Sequence, residues 1–201
     1  MFLSVDPVTA YEQPISQFHR YRYANNNPYR FVDPDGRHSA KAHDKLIENA
    51  FKDRLPESDV SKIQQSSRDF DKRTQGADES HMHSMAREGQ STADATAMIR
   101  KFVGETMVEA RDAADSGDRD TALKLFGEAM HPVMDSSSAM HTDSNGNPRE
   151  WRGLRDAWGH SPTDRIGKET SRHLTPEIMD SQSKRMNSAY DWVFREGRYG
   201  D

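Results

Sequence analysis

The chain contains no cysteine, so it can form neither disulfides nor thiolate metal sites, and any ion it binds must be held by His, Asp, Glu or backbone groups. It is also poor in apolar residues. Only 33% of the 201 residues are hydrophobic, and mean hydropathy is −1.02. A core that thin offers relatively little apolar burial against chain entropy, and a bound metal would help to hold it, because ligands drawn from separated segments make ion binding part of folding. No apolar run approaches the roughly 18 residues that cross a bilayer, and the opening "MFLSVDPVTA" lacks the apolar core of a signal peptide. A net charge of −5 gives no basic footprint of a stable nucleic-acid binder. The length suits one domain with at most a short appendage.

Two regions differ in character. Residues 1–36 carry Pro7, Pro14, Pro28 and Pro34, the run Asn25-Asn26-Asn27, and Tyr11, Tyr21, Tyr23 and Tyr29, which reads as turn-rich, strand-like sequence. From Ser39 onward the spacing is helical. The stripe Leu46, Ile47, Ala50, Phe51 predicts a helix over about 39–55 that Pro56 stops, with His43 one turn before the stripe. A second helix starts at "STAD", where Ser91 and Asp94 form a capping box, and ends at Gly117. A third runs from Asp118 through Phe126 and Val133, with Pro132 as a kink. A last one follows Thr175 as cap and Pro176 at the first helical position. Residues 142–150 read as loop. The expected fold is all-α, a helical bundle.

Histidine and aspartate then stand out. In "HPVMDSSSAMH", His131 and Asp135 lie four apart, on one face of a helix, with His141 six further on. His43 lies upstream, Asp69, Asp71, His81 and His83 fall in "RDFDKRTQGADESHMH", and His160 and Asp164 repeat the four-residue spacing. Either aspartate and either histidine of the middle segment could serve. Ser136, Ser137 and Ser138 beside His141 suggest a serine hydrolase, but the glycines of a nucleophile elbow are missing. Trp151, Trp158 and Trp192 read as packing residues, although bases can stack on such rings.

The ordered set His43, Asp71, His83, His131-x3-Asp135-x5-His141, His160-x3-Asp164 resembles the superfamily of zinc-dependent bacterial phospholipases C and fungal single-strand-specific nucleases. That resemblance implies an all-α phosphodiesterase with three zinc ions over about residues 38–165. It implies that Asp71, His83, His131 and Asp135 hold the first zinc and that His141, His160 and Asp164 hold the second. Asp135, His43 and the N-terminal residue would hold the third, with Asp71 and Asp135 as the catalytic carboxylates. Members usually begin with a tryptophan that coordinates through its free amine, whereas this sequence begins far upstream of His43.

The stretch "YRYANNNPYRFVDPDGR" resembles the end of the core of Rhs-repeat polymorphic toxins, where Asp-Pro-x-Gly, usually followed by Leu, precedes a self-cleavage point. This chain has Asp33-Pro34-Asp35-Gly36 and then Arg37. By resemblance Asp33 and Asp35 support cleavage, residues 1–37 are the core remnant, and residues 38–201 are the toxin domain. Cleavage after Arg37 would make His38 the new N-terminus and its amine a third-site ligand. The implied protein is a secreted effector delivered into a target cell, with the Rhs core shell and a cognate immunity protein as partners. Its substrate is nucleic acid, with phospholipid as the runner-up. The reading of another class is a non-enzymatic module whose metals only stabilise the core.

Overall fold

The computed structural model describes residues 40–138, 141–151 and 174–195. Asp33, Asp35, His38, His160 and Asp164, and with them the expected boundary at residue 37, lie outside the described residues. Within them the chain is all-α, as the spacing predicts, in five α-helices and one 3-10 helix.

Helix α1 spans Ala40–Phe51, four residues short of its expected end. Pro56 does not stop it. A turn over 52–55 intervenes, and Pro56 is the N-cap of a further helix, α2, over Glu57–Arg73. The sequence reading lacks α2 altogether. Its inward face is Asp59, Val60, Ile63, Ser66, Ser67 and Phe70, half of it polar, so the apolar stripe that marks an amphipathic helix is broken. Local signals were there: Glu57 and Asp59 in the first turn and Lys72 and Arg73 in the last complement the helix dipole.

A 3-10 helix covers Ala77–His83. Helices α3 (Thr92–Asp115) and α4 (Arg119–Asp135) pack together across a short turn in which Gly117 takes φ 86°. The two caps expected from sequence are formed, Asp94 N–H donating to Ser91 Oγ at 3.1 Å and Ile178 N–H to Thr175 Oγ1 at 3.3 Å, the latter opening α5 over Pro176–Phe194. Asp118, the expected start of the third helix, also caps it, its Oδ1 accepting from Thr121 N–H at 3.1 Å. Such caps satisfy first-turn donors that the helix itself leaves unpaired.

Helix α4 is the axis of the bundle. Most of its residues from Ala122 onward are buried, as expected of a helix with neighbours on every side. It stays helical through Pro132 to Asp135. Helices α2 and α3 cover two of its sides, and α1 sits against α2 and α5. Phe51, Phe126 and Tyr190 meet at ring distances of 5.5 to 5.9 Å and anchor the apolar end. Arg119 donates to both Asp59 Oδ2, at 2.8 Å, and Tyr190 Oη, at 2.7 Å, so the buried ends of α2 and α5 are tied to the start of α4.

Two short contacts fix the other end, where the ligand-type residues lie. Strands β1 (Ala86–Arg87) and β2 (Glu150–Trp151) pair in parallel, and Arg149 N–H donates to His141 O at 2.8 Å. The loop holding His141 is thereby moored to the segment just after His83.

The crossing of α2 and α4 depends on Gly127. A Cβ there would meet the backbone oxygen of Ile63 at 2.7 Å and Ser66 Cβ at 3.0 Å, and a backbone carbonyl cannot swing aside. Gly127→Ala should therefore lower stability by up to about 2 kcal/mol, an overpacking penalty of about 1–3 kcal/mol less a helix-propensity gain of about 1 kcal/mol. Urea denaturation reads this directly, and an unchanged midpoint would show that the two helices separate there without penalty.

Candidate metal centre

Five elements bring their polar residues to one place: His43 from α1, Asp71 from the last turn of α2, His83 from the end of the 3-10 helix, His131 and Asp135 from α4, and His141 from the loop beyond it. Asp135 is the centre. Its Oδ1 lies 3.0 Å from His43 Nε2, and its Oδ2 lies 3.2 Å from His83 Nδ1, 3.2 Å from His131 Nε2 and 3.6 Å from His141 Nδ1. Asp71 Oδ1 stands 3.9 Å from His83 Nδ1 and 3.8 Å from His131 Nε2. His131 is 0% and Asp135 1% exposed, whereas the Asp71 side chain is 32% exposed. The cluster is closed on the α4 side and reaches solvent at Asp71.

Helical geometry separates the paired alternatives. Asp69 and Asp71 are two residues apart on α2, about 200° around its axis, so only one can face inward. Asp71 does, while Asp69 takes Gln65 Nε2 at 2.8 Å on the exposed side. His83 faces the cluster, and His81 instead lies edge-on to Phe102 at 6.0 Å.

The electrostatics prepare these groups as ligands. Burial alone would raise the Asp135 carboxyl, but His141, His131 and His43 together hold it well below its ordinary value, so it is ionised. Burial pushes His131 down to about 4, which leaves its ring neutral at physiological pH. For His83 burial is outweighed by the hydrogen bond and charge of Asp135 and by the charge of Asp71, and its value is raised. Its Nε2–H donates to the carbonyl of Thr74 at 2.8 Å. A carbonyl can only accept, so Nδ1 is the nitrogen that His83 turns to Asp135.

The donor set fits a metal ion. His83 Nδ1 and His131 Nε2 are 3.1 Å apart and both face Asp135 Oδ2, so three lone-pair atoms converge on one point. A proton can serve only part of that set, and a cation serves all of it. Among the described residues two overlapping groups could hold an ion: His43, His131 and Asp135, and Asp71, His83 and His131, each with ligand atoms within 4.8 Å of one another. All are imidazole nitrogens or carboxylate oxygens, donors that suit zinc and other borderline cations.

No protein-family model, curated protein or solved structure matches this chain. Sequence reasoning overlooked Ser67 and Thr74, both buried and both beside the cluster: Ser67 Oγ is 3.1 Å from His131 Nδ1, and Thr74 Oγ1 is 3.0 Å from His83 Nε2. The four-residue spacing of Ser67 from Asp71 would have shown it, had α2 been recognised.

Proposed function

We infer that the chain is a zinc-dependent phosphodiesterase, the toxic part of an Rhs effector, with nucleic acid as its substrate. The observation that carries this reading is the buried Asp135 carboxylate set among four imidazoles, with a second carboxylate, Asp71, at the solvent edge. In this reading Asp71, His83, His131 and Asp135 hold the first zinc, His141, His160 and Asp164 the second, and Asp135, His43 and His38 the third. Zinc in such surroundings supplies a Lewis acid and a bound water acidified to a pKa of about 7.

The chain's own residues do the rest. Asp135, ionised and buried, supplies the negative charge that keeps cations close together. His131 and His83 offer lone pairs from fixed rings. Asp71, reachable from solvent, is the carboxylate placed to take a proton from an attacking water and the side from which a phosphodiester can approach. Among the described residues no helix is long and apolar enough to cross a membrane.

The test is the purified chain, with zinc, incubated separately with single-stranded DNA, RNA, duplex DNA and phospholipid vesicles, beside a chain made to begin at His38. Cleavage of a nucleic acid is expected, faster for the chain beginning at His38. Release of the phospholipid headgroup would assign a phospholipase C. Retained zinc with every substrate intact would leave the non-enzymatic, metal-stabilised module.

A further inference from the structure

We propose that Ser67 is a positioning residue, whose hydroxyl seats the His131 ring so that Nε2 faces Asp135 and the ion. The proposal rests on the metal reading of the cluster. It concerns a residue that stands outside the ligand set.

The His131 ring is 0% exposed, so both of its nitrogens need partners within the protein. Nε2 faces inward, 3.2 Å from Asp135 Oδ2 and 3.1 Å from His83 Nδ1. Nδ1 faces outward, 3.1 Å from the hydroxyl of Ser67, itself only 1% exposed. Turning the ring over would put one carbon atom where Nε2 meets Asp135 and another where Nδ1 meets Ser67.

A hydroxyl suits this place better than the carbonyl that serves His83. Thr74 O can only accept, which fixes His83 in one tautomer. Ser67 Oγ can donate or accept. When His131 Nε2 carries the ring proton and donates it to Asp135, the Ser67 hydroxyl donates to Nδ1. When Nε2 gives its lone pair to an ion, the ring proton sits on Nδ1 and Ser67 accepts it. His131 can pass between the two states without leaving a buried nitrogen unpaired.

Ser67 and Asp71 fall at i and i+4 on one face of α2, and Thr74 is the C-cap that directly follows the helix. The end of one helix thus carries one ligand and the seats of two others. Partners of this kind fix the orientation and tautomer of a ligand imidazole, and their loss commonly weakens metal affinity about 10–100-fold.

The experiment is zinc titration of the full chain against a competing chromophoric chelator, for the parent, Ser67→Ala and Ser67→Thr. Zinc affinity should fall about 10–100-fold in Ser67→Ala, with Ser67→Thr, which keeps the hydroxyl, closer to the parent. Melting in excess chelator and the far-ultraviolet circular dichroism of each variant report whether it folds. Equal affinity of parent and a folded Ser67→Ala overturns the proposal while leaving the metal site standing. Nitrogen-15 shifts of His131 in the zinc-loaded parent give the answer without any variant. A protonated Nδ1 with a metal-bound Nε2 is expected, and zinc on Nδ1 overturns the proposal. A parent that takes up no zinc overturns the metal reading and this proposal with it.

Discussion

Asp135→Asn should lower zinc affinity more than 100-fold, beyond the effect of losing a partner that only supports a ligand, and should abolish hydrolysis of whichever substrate the parent cuts. Asparagine has the same shape and can still hydrogen-bond, so the helical signal should remain. It has no charge, however, and its amide group puts donors or a single neutral oxygen where His43, His83, His131 and His141 converge on a carboxylate. Every proposed ion that shares Asp135 is weakened at once. Metal content of the purified variant and turnover on the parent's substrate read the two effects. A variant that carries parental zinc and cuts at the parental rate would show that the cluster is not the active site.

Removing zinc should lower the melting temperature by roughly 5–11 °C for each ion lost. An ion present at about 100 times its dissociation constant adds about 2.7 kcal/mol, and each kcal/mol moves the midpoint of a chain of this size by about 2–4 °C. The difference should depend on pH, in a direction that His83 sets. Its folded value is raised above the ordinary 6.5, so in the metal-free protein its contribution to stability is present below 6.5 and fades as pH rises through the raised value. An imidazolium cannot bind zinc, so the ion's contribution moves the opposite way and grows over the same interval. Through that range His131, held at about 4, stays neutral, and Asp135, held well below its ordinary value, stays ionised. The gap between zinc-loaded and chelated protein should widen as pH is taken from 6 to 8, and binding should release protons into a weakly buffered solution. Scanning calorimetry with and without chelator measures the gap. Coincident transitions at every pH would exclude the ions as part of the fold.

The helices that the sequence shows plainly are those whose ends carry their own chemistry. Ser91, Asp118 and Thr175 cap α3, α4 and α5 through side chains that reach only three residues ahead, so no knowledge of the tertiary fold is needed to find them. The boundary at Pro56 fails for a related reason: a proline that cannot continue one helix is equally suited to open another, and α2 begins there. Helix α2 itself escapes because half of its inner face is polar, with Asp59 tied to Arg119, Ser66 to Lys124 O and Ser67 beside His131, and periodicity counts only apolar residues. The same omission leaves Asp69 and Asp71 undecided, since choosing between them requires the rotation of a helix not yet recognised. The composition of the cluster is legible because histidine and aspartate at ordered spacings have few other uses in so polar a chain. The partners of those histidines are not, because a serine or a backbone carbonyl carries no signal of its own.

The contact at Gly127 also has a mechanical side. Helix α2 crosses close against α4 where Ile63 O faces Gly127, and Asp71 lies eight residues beyond Ile63 along α2, about 12 Å at a rise of 1.5 Å per residue. The crossing is a fulcrum and the last two turns of α2 are the arm. A tilt of about 5° at Gly127 swings Asp71 through about 1 Å, several times the roughly 0.2 Å within which metal–ligand distances are held. A single methyl group placed at the fulcrum, one helical turn before His131 on α4, therefore acts on a bound metal by leverage, and it acts first on Asp71.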